Sequence, residues 1–205
     1  MYTLMKPLLI REELLKKKLF IFTPRDFELV FQLPKHKTKY LLEKESDRGL
    51  FLRLKKGLYS LKTDLPTEAE IANRLYQPSY ISFEYALAGY NILPEMTYSI
   101  TSATTKPTRT FAIENREFSY FTIKKEAYTG YNLIKQGGKS FLMADPEKSL
   151  VDYLYFVALG KKANNDRLNT SSLRKEKLFE YAGLYGRSKL TKLIEALPAG
   201  RQEIK

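Results

Sequence analysis

Residues 23–61, TPRDFELVFQLPKHKTKYLLEKESDRGLFLRLKKGLYSL, decide how this chain is read. Thr23-Pro24-Arg25-Asp26 is a helix start. Thr23 can cap the first backbone N–H groups, Pro24 suits the first helical position, and Asp26 complements the positive helix end. Phe27, Val30, Phe31 and Leu33 follow as a stripe to bury, and Pro34 is expected to end the helix. A further helix is expected from about Lys35 to Lys44, stopped by Arg48-Gly49 with Gly49 as a left-handed cap. Leu50–Leu54 and Leu58–Leu61 are strand-like runs joined by Lys55-Lys56-Gly57, a β-hairpin with a basic tip. Upstream, residues 6–18 repeat Leu8/Leu9, Glu12, Leu15 and Leu19 at helical spacing. Three helices and then a hairpin is the order of a winged helix-turn-helix.

In that motif the last helix enters the major groove, and the hairpin touches the backbone or the minor groove. The major groove takes one α-helix, and only there is every base pair distinct. What the third helix shows to solvent is therefore decisive. Thr38, Leu41 and Leu42 lie on one side and can pack inward, while His36, Lys37, Lys39, Tyr40, Glu43 and Lys44 lie around the other. The candidate DNA-binding residues are Lys35, His36, Lys37, Lys39, Tyr40 and Lys44 on the helix, with Arg53, Lys55 and Lys56 in the wing. A lysine-rich face is usually just a solvated face. The conjunction of helix order, hairpin order and basic residues at both expected places favours duplex DNA as the partner.

Composition narrows the alternatives. The 205 residues suit one large domain or two small ones, and 43% hydrophobic with 28% charged residues is the balance of an ordinary globular protein. There is no cysteine, which removes disulfides, thiolate metal sites and cysteine nucleophiles together. His36 is the single histidine, so a Ser–His–Asp triad would have to use it and a two-histidine metal site is impossible. Residues 1–65 hold 15 Lys/Arg against 8 Asp/Glu, a net +7 out of +12 for the chain. A basic N-terminal module points to a polyanion. The longest apolar run, Tyr153–Leu159, is too short to span a bilayer, and the charged N-terminus does not read as a signal peptide, so a cytoplasmic protein is expected.

Thr63–Thr67 (TDLPT) reads as a linker, giving a DNA-binding domain over 1–65 and an α/β domain over 66–205. Glu68–Tyr76 and Ser82–Tyr90 are expected helices, followed by strands over Met96–Ala103, Arg109–Ile113 and Glu117–Ile123. Tyr131–Lys135 and Lys139–Ala144 form a hairpin across Gln136-Gly137-Gly138. Asp145-Pro146-Glu147 opens a buried helix through Leu159. After a polar loop, Leu173–Tyr181 and Ser188–Leu197 close the chain, and the last eight residues look frayed. Phe118, Tyr120 and Phe121 are read as core, and Glu147 with Lys148 as helix-start electrostatics. The fold class expected is α+β, a winged helix-turn-helix followed by an α/β domain with a mixed central sheet.

These blocks carry a resemblance. FTPRDFELVF, KTKYLLEKE and GLFLRLKKGLYSL resemble the N-terminal winged helix of the AbiEi family of antitoxins, the transcriptional regulators of type IV toxin–antitoxin (abortive infection) systems. IANRLYQPSYISFEYALAGYNILPE resembles the helix pair after the family's linker. TYSITSATTKPTRTF and FSYFTIKKEAYTGY resemble its central strands, and MADPEKSLVDYLYF its later helix start. Glu45 and Asp47 depart from the pattern, since such helices usually carry an apolar residue before the terminal glycine. The resemblance implies a two-domain antitoxin. Its first domain binds inverted repeats in the operon's own promoter, and its second counters a nucleotidyltransferase-type toxin without having to touch it.

Two rival functions remain on the sequence. The second domain's order of helices and strands resembles a restriction-endonuclease-like core, with Glu95, Glu114, Glu117, Lys124 and Asp145 as the available groups. Each has an ordinary explanation, as a turn, a solvated strand end or a helix cap, so no enzymatic activity and no cofactor is expected. The other rival is a transcription regulator with a ligand-sensing second domain.

Overall fold

A computed structural model of the chain describes residues 6–95 and 97–198. The polypeptide divides into two compact units between Leu75 and Tyr76. The first holds α1 (Pro7–Lys16), β1 (Ile21–Phe22), α2 (Pro24–Phe31), α3 (Lys35–Asp47), β2 (Phe51–Lys55), β3 (Leu58–Leu61) and α4 (Glu68–Leu75). The expected linker residues Thr63 and Asp64 are tied back to α1, where the Arg11 guanidinium donates to both Asp64 carboxylate oxygens at 2.7 Å.

The start of α2 is built as its sequence specifies. The Asp26 N–H donates to Thr23 Oγ1 at 3.2 Å, and the Thr23 N–H donates back to Asp26 Oδ2 at 2.8 Å, a reciprocal capping box. Its end differs from expectation. Gln32 adopts a left-handed conformation (φ 51°, ψ 42°) and donates its N–H to Glu28 O, so the helix stops before Pro34 is reached. Pro34 instead becomes the N-cap of α3. That helix runs on past Lys44 to Asp47, because nothing breaks it until Gly49 turns the chain at φ 80°.

The strands β1, β3 and β2 form a sheet in that order, antiparallel throughout. The two-residue β1 went unanticipated, being too short to show any periodicity. Ile10, Leu14, Phe22, Phe27, Leu42, Phe51, Tyr59 and Leu61 close the core of this unit. Phe22 lies at its centre, 5.9 Å from Phe27 and 5.2 Å from Phe51 between ring centroids. Val30, Phe31 and Leu33 are only half-buried.

The second unit contains β4 (Ser79–Ile81), α5 (Phe83–Gly89), β5 (Ser99–Thr104), β6 (Arg109–Ile113), β7 (Arg116–Thr122), β8 (Tyr131–Gln136), β9 (Lys139–Ala144), α6 (Pro146–Ala158), α7 (Lys175–Tyr185) and α8 (Ser188–Glu195). Its sheet has the order β6-β7-β5-β4-β9-β8. Pairing is parallel for β5/β7 and β4/β9 and antiparallel elsewhere, so the sheet is mixed, and the chain is α+β as expected. Met96, the first residue of an expected strand, and residues 199–205 of the expected frayed end lie outside the described residues. The short β4 was not anticipated. The helix expected at Leu173–Tyr181 begins at Lys175 and runs to Tyr185, where Gly186 caps it left-handed.

The helix α6 is the axis of this unit. The Asp145 side chain caps it by accepting from the Lys148 N–H at 2.8 Å. Leu150, Val151, Leu154, Phe156 and Ala158 are buried among Phe83 and Leu87 of α5 and Leu178, Tyr185, Leu190 and Ile194 of the closing helices. Among the described residues no helix is long and apolar enough to cross a membrane.

Candidate nucleic-acid interface

Period 3.6 divides α3 cleanly. Thr38, Leu42 and Glu45 are buried and Leu41 is half-buried. Lys35, His36, Lys39, Tyr40 and Glu43 are exposed, whereas Lys37 and Lys44 are half-buried. Tyr40 is 58% exposed, too much for a core tyrosine, and the Lys44 ammonium lies 5.4 Å from its ring centroid. This pair offers a flat ring and a cation at one point of the exposed face. Along that face His36, Tyr40, Glu43 and Asp47 follow one another at helical spacing. Exposed Lys35 and Lys39 flank its first half, whereas exposed Glu43 and Asp47 lie toward its end.

The hairpin completes the face. Arg53 on β2 and Lys56 at the tip are exposed, and Gly57 takes φ 77°, a conformation the turn requires and a side chain would strain. Lys55 is placed differently. It is half-buried, and its ammonium donates to the Leu75 carbonyl at 2.6 Å, at the end of α4. A shallow pocket between α3 and the hairpin is lined by Glu43, Ser46, Asp47, Phe51, Arg53 and Lys62.

Glu45 was read from sequence as a departure from an apolar position, and it is indeed 1% exposed. Its Oε1 accepts from the Arg48 guanidinium at 3.3 Å, and its Oε2 has no hydrogen-bond partner among the described residues. Thr38 Oγ1 on the same buried side also lacks a partner among the described residues.

The second unit holds an ionic cluster built on Lys148, expected with Glu147 to serve helix-start electrostatics but fully buried instead, and on Asp152, which the sequence reading did not single out. Lys148 and Asp152, one turn apart on α6, are both fully buried and bonded to each other. Asp152 also accepts from Tyr185 Oη at 2.5 Å, Ser82 Oγ at 2.7 Å and Tyr80 Oη at 3.0 Å. Burial pushes the Lys148 ammonium below its ordinary pKa, against the pull of Asp152. Burial, reinforced by the Asp152 charge, holds Tyr80 and Tyr185 well above theirs. The cluster joins β4, α6 and α7 and opens onto no solvent, so its chemistry is internal. Spacing i, i+4 of opposite charges inside an otherwise apolar helix was the available signal.

Among the described residues the structure gathers no three of the carboxylates considered for metal chemistry into one site. Glu95 pairs with Arg167 at 3.0 Å, and Glu117 accepts from Ser119 Oγ at 2.9 Å. Glu114 occupies a left-handed turn at φ 50°. Lys124 donates to the Tyr185 carbonyl at 2.6 Å. Asp145 accepts from Lys177 at 2.6 Å and Tyr181 at 2.7 Å besides capping α6. Among the described residues no group of three His, Asp or Glu side chains is placed to hold a metal ion. A scan against protein-family models and a search of curated proteins each returned no match.

Proposed function

We propose that the first unit is a winged helix-turn-helix that binds duplex DNA, with α3 in the major groove and the β2–β3 tip on the backbone or in the minor groove. One observation carries the reading. A helix with Lys35, His36, Lys39 and Tyr40 exposed precedes a hairpin with Arg53 and Lys56 exposed, and that hairpin belongs to a sheet of order β1-β3-β2. Lysines around the helix suit phosphate contacts that fix register, while His36 and Tyr40 suit base edges.

The resemblance of the sequence blocks extends this to a cytoplasmic antitoxin that represses its own operon and counters a nucleotidyltransferase-type toxin. Duplex titrations across a salt series test the first part. Each neutralised phosphate contributes a log–log slope of about −0.9, so several contacts give a steep fall in affinity. A flat response sinks the reading. Growth and promoter–reporter assays on a Lys39→Ala/Lys56→Ala variant test the second. Repression should be lost and protection from a toxin expressed elsewhere retained. Loss of protection by the folded variant would rule out separable modules.

A further inference from the structure

Lys55 stands where the hairpin turns, and in a regular strand its side chain would share a face with Arg53 two residues earlier. The ladder prevents this. Arg53 pairs with Tyr59 and Lys55 with Leu58, so two steps on β2 match one step on β3 and Leu54 is the extra residue. Such a bulge re-aims the side chains after it. Leu54 is buried, Arg53 stays exposed, and Lys55 turns inward to reach the Leu75 carbonyl at 2.6 Å. Leu75 is the last residue of α4, and the final carbonyls of a helix lack partners within it and form its negative end. An ammonium is the group that satisfies both conditions.

We propose that Lys55 is a positioning residue: it clamps the wing to the end of α4, so that Lys56 at the tip, with Arg53 beside it, makes the wing's contact with DNA. The inference rests on the DNA-binding reading above and refines it. A lysine that would otherwise count among phosphate contacts is spent inside the unit. Its replacement removes Lys56's contact by misplacing the tip and removes no contact of its own.

The experiment is a cycle of Lys55→Met, Lys56→Met and the double variant in the full-length protein, titrated with a short labelled duplex of random sequence across a salt series. Lys56→Met should make the log–log slope shallower by about 0.9. Lys55→Met should lose no more than that. The double variant should match Lys56→Met, since a contact already lost cannot be lost again. Lys55→Arg, which keeps an N–H donor for the carbonyl, should retain the wild-type slope. A double variant that loses about twice as much slope makes Lys55 an independent phosphate contact and overturns the clamp. Amide hydrogen exchange in the free protein gives a second readout. Hairpin amides should exchange faster in Lys55→Met and unchanged in Lys56→Met, and equal behaviour in the two also overturns the clamp. Absence of any duplex binding by the wild-type protein instead sinks the DNA-binding reading itself, and the exchange data then still report on the Lys55–Leu75 contact.

Discussion

Two helices of 13 residues, α3 and α6, bury carboxylates, and Glu45 of the first and Asp152 of the second are treated in opposite ways. Asp152 on α6 accepts from Lys148, Tyr80, Ser82 and Tyr185, so its charge and its lone pairs are answered. Among the described residues the Glu45 carboxylate on α3 accepts from Arg48 alone, through one oxygen. A buried charge costs several kcal/mol unless it is paired and hydrogen-bonded, so the second unit has absorbed that cost and the first has not. The difference separates a structural charge from one the helix merely tolerates. In the second unit ions are part of the core. In the first, Lys35 and Lys39 of α3 face outward and the inward Glu45 is a local burden.

The largest effect expected from this contrast is at Asp152. Asp152→Ala leaves Lys148 buried and uncompensated and should destabilise the second unit by about 3–5 kcal/mol in urea unfolding. Lys148→Met should cost much less, because Asp152 keeps its three hydroxyl donors. Equal losses would mean that the ion pair matters more than the hydroxyl network.

An alkaline titration sharpens the same point. Burial raises Tyr80, Tyr120, Tyr128, Tyr181 and Tyr185 above the ordinary tyrosine value of 10.0. A group whose folded pKa is raised contributes stability that is complete below its unfolded pKa and lost as pH climbs toward the folded one. Stability of the second unit should therefore fall from about pH 10 upward. Lys148 acts in the other sense, since its lowered folded pKa makes stability rise with pH up to its unfolded value of 10.5. Tyrosinate absorbance checks this. These rings should ionise with unfolding, and smooth ionisation at pH 10 in the folded chain would contradict their burial.

In the first unit the sign reverses. Glu45→Met replaces an under-satisfied charge by an apolar chain of similar size and should stabilise by about 1 kcal/mol, read as a higher melting temperature. A drop would show that the Arg48 pair outweighs the desolvation of Glu45. The smallest effect concerns helix ends. The left-handed cap is Gly186 on α7 but Gln32 on α2. Gln32→Gly should gain about 0.5 kcal/mol, and no gain would mean that the Gln32 side chain offsets its backbone cost.

Local chemistry made much of this molecule legible. Thr23-Pro24-Arg25-Asp26 and Asp145-Pro146-Glu147 specify helix starts because a cap needs only neighbours within three residues, and both are formed. The hairpin at Lys55-Lys56-Gly57 and the exposed side of α3 were also within reach, since turn geometry and helical period act over a few residues. Pro34 misled, because Gln32 had already ended α2 by adopting a conformation that favours glycine. What the sequence could not supply were facts created by distant partners. The strands β1 and β4 exist only because distant strands, β3 for the first and β5 and β9 for the second, give them hydrogen bonds. Lys55 turns inward because a bulge and the end of α4 meet it, although Arg53, Lys55 and Lys56 look alike as a basic run. Lys148 and Asp152 become a core pair only when Tyr80, Ser82 and Tyr185 arrive from β4, the residue after it, and α7. A side chain's charge is written in the sequence, whereas the medium around it, water or protein, is set by the packing of segments far apart along the chain.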